Sequence, residues 1–283
     1  MRLHGWLGLA VIALAEGLLL AGQPFVARWF TPIVWTGYVL LVDAAVARRT
    51  GRSYLTTDRA ELVLVALASI GCWWLFELYD APRFWRGGAD RVGLWWQYHG
   101  LEPDLWLRRL GYDWSFATIF PALFLTTAWL RATVVRRVPV RPRRPSPALL
   151  NASIALGAVC VALPLLVVNA WLVPLVWTGF VLLLEPLNYR RGQPSWLAAL
   201  AAGDASLLVA LLGSGLACGV LWEFWNYWAA TKWTYTVPYF GDVKILEMPV
   251  VGYLGFLPFA LECYAMYHWL RGCLGRESAP SLV

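Results

Sequence analysis

Residues 29–55, WFTPIVWTGYVLLVDAAVARRTGRSYL, and residues 171–197, WLVPLVWTGFVLLLEPLNYRRGQPSWL, are one segment written twice, identical at 13 of 27 aligned positions with no gap. Outward from this match the correspondence continues. Glu77 in CWWLFELYD (72–80) falls, four positions out of register, opposite Glu223 in CGVLWEFWNYW (218–228). The chain reads as an internal duplication in which each half sets a glutamate among tryptophans.

Composition decides the class of protein that was duplicated. Hydrophobic residues make up 60% of the 283 positions and charged residues 14%, against about 25% charged in soluble domains. Apolar stretches of the roughly 17–25 residues needed to cross a bilayer occur near 5–23, 30–47, 60–79, 112–131, 149–168, 172–189, 205–228 and 248–270. The expectation is an all-α polytopic membrane bundle of eight transmembrane helices, built as two parallel four-helix repeats. Repeat one covers 1–136 and repeat two 149–273, joined by a basic linker at 137–148 and followed by a tail at 274–283. The apolar stretch after Arg2 fills the place in repeat one that 149–168 fills in repeat two, so it reads as a helix and not as a cleaved signal.

Arginines assign the faces, because basic residues near helix ends collect on the cytoplasmic side. With the N-terminus inside, Arg2, Arg48, Arg49, Arg52, Arg59, the run from Arg131 to Arg144, Arg190, Arg191, Arg271 and Arg276 share one face. Both termini and the linker are then cytoplasmic, in an inner membrane, and the 80–111 and 229–247 connections lie opposite. An even helix count per repeat relates the repeats by an axis along the membrane normal. Five arginines and four prolines in 136–147 predict an extended linker. The +6 net charge sits where topology wants it and makes no case for nucleic acid.

Cofactor chemistry has little to build on. Cys72, Cys160, Cys218, Cys263 and Cys273 are dispersed, and His4, His99 and His268 share no ligand spacing. No glycine-rich phosphate loop is present. The reading is therefore no cofactor and no metal.

The acids carry the chemical information, since a carboxylate in a membrane helix costs roughly 2.5–3.5 kcal/mol even on the lenient insertion scale. Asp43 and its mate Glu185 lie within a turn or two of Arg48–Arg49 and Arg190–Arg191, which predicts structural ion pairs. Glu16 falls near the middle of the first helix and Glu262 toward the inner end of the eighth. Gly215, Gly219, Glu223 and Tyr227 recur every four residues on a slowly drifting stripe, and the glycines allow a neighbouring helix to come close. Trp222, Trp225 and Asn226 surround Glu223, as Trp73 and Trp74 accompany Glu77. Two readings compete. One is an interfacial aromatic belt; the other is a cavity whose rings steady a cation and whose carboxyls exchange protons with an apolar substrate.

The run from Trp222, WEFWNYWAATKWTYTVPYF, followed by ILEMPVVGYLGFLPFALECYAMYHW, resembles the small membrane-embedded lycopene cyclases built from two homologous halves or subunits. The resemblance covers about 220–270 and reaches the first repeat through the duplication. It implies redox-neutral cyclisation or isomerisation of an apolar isoprenoid or carotenoid by protonation, carbocation closure and deprotonation. It carries over Glu223 and Glu247 as catalytic acids, with Glu77 added by the repeat. The substrate would lie against Trp222, Trp225, Asn226, Tyr227, Trp73, Trp74, Glu16 and Glu262. The family's adjacent acids after the proline are missing: Val250, Val251 and Gly252 follow Pro249. A non-enzymatic lipid-binding or transport protein, or an accessory subunit of a membrane complex, therefore stands as the alternative. Membrane lipids are partners in every case.

Overall fold

The computed structural model describes residues 2–81, 93–238, 240–276 and 282–283. Eight helical segments are long and apolar enough to cross a membrane. They are α1 (Leu3–Leu20), α2 (Phe30–Thr50), α3 (Arg59–Asp80), α4 (Leu105–Thr133), α5 (Pro147–Leu166), α6 (Val173–Arg190), α7 (Ser206–Trp228) and α8 (Phe256–Cys273). Single turns of 3-10 helix at Ala170–Leu172 and a longer one at Val250–Gly255 lead into α6 and α8. The spans agree with the hydropathy reading to within a few residues except at α8, where a 3-10 segment takes the place of the first α-helical turns, and at α4, which begins seven residues earlier than expected. Its first residues, 105–111, carry Arg108 and Arg109, and those charges kept them out of the apolar stretch.

Helix α4 breaks at Thr118, three residues before Pro121, whose ring cannot donate back to Ala117. Inside a bilayer the freed backbone groups need partners. Ser69 of α3 supplies them, donating to the Phe116 carbonyl at 2.5 Å and accepting from the Phe120 amide at 3.0 Å. The second segment, Ile119–Thr133, is buried at every position from Ile119 to Ala128 and forms the centre of the bundle. Helices α1 and α5 sit outermost, with Leu3, Leu7, Leu14, Leu149 and Leu156 exposed along them.

Glycines set the tightest contacts. A Cβ on Gly8 would lie 2.5 Å from the Gly37 carbonyl, so α1 and α2 touch backbone to backbone; Gly157 brings α5 equally close to α6 at Leu183, 2.4 Å. Small-residue crossings of this kind are how membrane helices gain packing without a hydrophobic drive. Helix α2 also packs on α4, α6 on α8, α4 on α7 and α3 on α8.

The expected ion pairs of Asp43 and Glu185 are not formed. Both acids are fully buried, whereas Arg48 and Arg49 point outward from the end of α2. After α2 the chain folds back and offers its own donors: Ser53 hydroxyl to Asp43 Oδ2 at 2.7 Å and Leu55 amide to Oδ1 at 3.2 Å, with His4 Nε2 3.1 Å away. Glu185 Oε1 accepts in the same manner from Ser195 hydroxyl, 2.6 Å, and Leu197 amide, 2.9 Å. The linker is extended as expected and lies along the α6–α7 turn, Val140 donating to Gly203 and Ala205 donating to Val138.

Two short strands, β1 (Trp96–His99) and β2 (Lys232–Tyr235), form an antiparallel ribbon with Trp96 opposite Tyr235 and Tyr98 opposite Trp233. This ribbon joins the 80–111 and 229–247 connections, to which the sequence reading assigns no secondary structure. Residues 82–92 of the first connection lie outside the described residues.

Candidate aromatic cavity

Each ribbon strand is anchored to the end of a helix that carries a glutamate. At the end of α3, Asp80 Oδ1 accepts from the Trp95 and Trp96 amides at 2.8 and 3.2 Å. At the end of α7, Asn226 grips Trp233 from both sides, its Oδ1 accepting from the amide at 2.9 Å and its Nδ2 donating to the carbonyl at 2.8 Å. Three residues earlier on each helix stand Glu77 and Glu223. Alternation along a strand sends Trp96 and Tyr98, and likewise Trp233 and Tyr235, to one face, and that face looks down on the two glutamates.

The glutamates are served unequally. Glu77 Oε1 accepts three bonds, from Tyr98 hydroxyl at 2.6 Å, Trp73 Nε1 at 3.0 Å and Trp96 Nε1 at 3.2 Å. Glu223 Oε1 accepts from Tyr235 hydroxyl at 2.7 Å, and that hydroxyl in turn accepts from Trp233 Nε1 at 2.8 Å. Glu223 is fully buried and its Oε2 has no hydrogen-bond partner. Burial, and next the neighbouring glutamate, push the Tyr98 and Tyr235 phenols well above their ordinary range; both therefore stay donors over any physiological pH.

Beneath the ribbon lies a cavity of about 600 Å³, within the roughly 300–1,000 Å³ of small-molecule sites. Helices from both halves contribute: Trp35 from α2, Trp73 from α3, Phe116 from α4, Trp177 from α6, Trp222 from α7 and Phe259 from α8, roofed by Trp96, Tyr98, Trp233 and Tyr235. The rings brace one another, Trp35 on Trp222 at 5.1 Å and Trp177 on Phe76 at 5.2 Å. Among the described residues Glu223 is the acid of this aromatic wall, while Glu102 borders the cavity beside Arg28 and Arg108. The glycine stripe seats it as expected: Cβ atoms on Gly215 and Gly219 would strike Phe256 of α8 at 2.1 and 2.2 Å.

The other expected site residues are spread more widely. Trp222 and Trp73 line the cavity with Glu223, and Glu77 stands behind Trp73, Trp96 and Tyr98, which line it in its place. Trp225 packs edge-on to Trp35 and donates to Glu16 at 2.9 Å, tying α7 to α1 outside the cavity. Asn226 spends both polar atoms on Trp233. Tyr227 is turned outward, because a stripe stepping every four residues drifts about 40° each time on a 3.6-residue helix; Lys232 stands over its ring. Trp74 also faces away, donating to Asp113 at 2.7 Å beneath Arg109. Glu247 lies between β3 (Lys244–Ile245) and β4 (Met248–Pro249) and pairs with Lys232 at 2.5 Å. Glu262 is fully buried three residues beyond Phe259, does not line the cavity, and has no hydrogen-bond partner on either oxygen. The pairs Trp96/Tyr98 and Trp233/Tyr235 were missed in the sequence, although W-x-Y following E-x-x-D or E-x-x-N recurs in both halves: Glu77, Asp80, Trp96, Tyr98 and Glu223, Asn226, Trp233, Tyr235.

The fold and site define a polytopic helical membrane protein with an aromatic cavity holding one partly unpartnered carboxyl. No family model, no curated protein and no solved structure matches the chain.

Proposed function

We propose that the protein is a redox-neutral isoprenoid isomerase or cyclase of the lycopene-cyclase-like kind, with Glu223 as its proton-transfer group. The observation that carries this reading is the apolar, ring-lined cavity whose wall includes Glu223, a buried acid with one oxygen free of hydrogen-bond partners. In the acid form Glu223 gives its proton to a double-bond carbon; a C–H bond forms, the O–H bond breaks, and the cation left on the chain is steadied by the faces of Trp35, Trp177 and Trp222. A second double bond closes on that cation, or the cation migrates. Loss of a neighbouring proton to the Glu223 carboxylate then restores the acid, so the product is an isomer and no oxidant or reductant is consumed. Tyr235, fixed by Trp233, holds Oε1 and leaves Oε2 to react. Glu77, whose Oε1 takes three donors, keeps the other wall in shape.

The same reading includes two parallel four-helix repeats. In support, Ser195 and Leu197 follow Ser53 and Leu55 by 142 positions, as Glu185 follows Asp43, and the ribbon register exchanges the two W-x-Y pairs onto each other. Expression of wild type and Glu223→Gln in a host making linear isoprenoids tests the chemistry. The wild type should yield an isomeric product and the variant at least about 100-fold less, as expected when a general acid is removed, with equal membrane insertion. A normal product profile from the variant removes Glu223 as donor.

A second reading, a non-enzymatic lipid-binding protein, is favoured by one observation: among the described residues one acid reaches the aromatic wall, where a cyclase with separate donor and acceptor would need two. Bound lipid released unchanged after prolonged incubation would select it.

A further inference from the structure

One end of the cavity differs from the rest. Where the α1–α2 connection meets the start of α4, Arg28 and Arg108 both border the cavity with Glu102 between them. Arg28 Nη1 lies 2.9 Å from Glu102 Oε2, and Arg108 Nε donates to the Glu102 carbonyl at 2.7 Å; its Nη2 reaches the Pro103 carbonyl at 3.5 Å. A guanidinium has five N–H donors, so these contacts leave donors on both arginines. Among the described residues two cations face one anion at this end. Asp104 is turned to the Trp106 and Leu107 amides heading α4, and Arg109 and Asp113 pair with each other; none of these three borders the cavity. Arg28 is 46% exposed, so this end of the cavity reaches the surface of the protein. On the α6 and α8 side the wall is Pro174, Thr178, Val251 and Leu254, without charge.

We propose that the cavity takes an amphipathic chain with one anionic head, a carboxylate or a phosphate, bound by Arg28 and Arg108 while the tail runs between the rings to Glu223. The planar fork of arginine matches either head by paired N–H donors. Glu102 holds Arg28 in place and yields it to the head, an exchange of one carboxylate for another anion. The inference rests on the isoprenoid reading for the tail, and it makes an anionic prenyl compound a better ligand than a hydrocarbon apolar at both ends.

Trp35, Trp73, Trp96, Trp177, Trp222 and Trp233 line the cavity, so tryptophan fluorescence of the full chain in phosphatidylcholine nanodiscs reports occupancy. Two matched pairs serve as probes: geranylgeranyl phosphate against geranylgeraniol, and oleate against methyl oleate. Each anion should bind at least about tenfold tighter than its neutral mate, as charged hydrogen bonds require. Arg28→Gln with Arg108→Gln should remove that preference and leave geranylgeraniol binding unchanged, whereas Glu102→Gln should increase the preference. If the double variant does not fold, each single variant should lose at least about threefold in anion affinity alone. Equal binding of phosphate and alcohol by the wild type, or a preference that survives in the variants, overturns the head-group site while leaving the isoprenoid reading intact. A head-group preference in the oleate pair with no binding of either prenyl probe overturns the isoprenoid reading and upholds the head-group site. Failure of all four probes overturns both.

Discussion

At Asp43 and Glu185 the nearest arginines in sequence are the wrong partners, because five or six residues along a helix points a side chain to another face. Buried carboxylates take what the folded-back chain offers, a serine hydroxyl and a main-chain amide. Asp43→Ala and Glu185→Ala should each cost about 1–3 kcal/mol by leaving those donors unpaired, seen as a lower unfolding midpoint in detergent. Arg48→Gln and Arg190→Gln should leave it unchanged; a fall as large as that of the acid variants would restore the ion-pair explanation. The phenols make a second residue-level prediction. Tyr54, Tyr98 and Tyr235 are all pushed far above the usual tyrosine range, burial being the largest cause. A group whose folded pKa is raised contributes stability that is complete below its unfolded value, about 10 for tyrosine, and is lost as pH rises beyond it. The contribution of these three tyrosines should therefore be flat below pH 10 and fall above it, by about 1.4 kcal/mol per pH unit for each of them. Denaturant midpoints from pH 9 to 11.5 measure the slope, which Tyr98→Phe should make shallower.

At the scale of elements, spacing in the sequence revealed the stripe of Gly215 and Gly219 but not its partner, which only the three-dimensional path of the chain supplies: Phe256, at the start of α8. Gly215→Ala should drive a methyl into the Phe256 carbonyl and destabilise the α7–α8 contact by about 1–3 kcal/mol. Gly71→Ala is the control, since nothing lies within 4 Å of a Cβ there, and helix propensity alone should make it neutral or stabilising by up to about 1 kcal/mol. Equal effects of the two changes on the unfolding midpoint would show that close packing does not govern this helix pair. The hydrophobic periods and lengths exposed all eight helices because bilayer thickness imposes one scale on every span. The β1–β2 ribbon escaped notice for the opposite reason: two four-residue strands rich in Trp and Tyr look like interfacial loop, and their pairing joins residues more than 130 positions apart. For the same reason the cavity was legible only in part. Glu223, Trp222 and Trp73 stood out on helices, while Trp96, Tyr98, Trp233 and Tyr235 drew no attention until the ribbon set them over the glutamates.

For the whole molecule the decisive quantity is the distribution of charge between two faces. Arginines cluster at the α2–α3 turn, the α4–α5 linker, the α6–α7 turn and the end of α8, while the ribbon and the cavity mouth lie at the opposite ends of the helices. Basic residues beside spans are retained on the cytoplasmic side, so the linker should be cytoplasmic and the ribbon should face the other compartment. A cavity opening on that far side would receive its ligand from the outer half of the bilayer or from the aqueous space beyond. Reporters fused after residue 142 and after residue 235 distinguish the two compartments: a cytoplasm-active reporter should work only at 142, and a reporter active only outside the cytoplasm should work only at 235. The intervening segment holds α5, α6 and α7, an odd number of crossings, so the two positions must differ if all three span. Matching signals at the two positions would mean that one of the three does not cross, and the arrangement that brings Trp177 of α6 and Trp222 of α7 to one cavity wall would have to be abandoned with it.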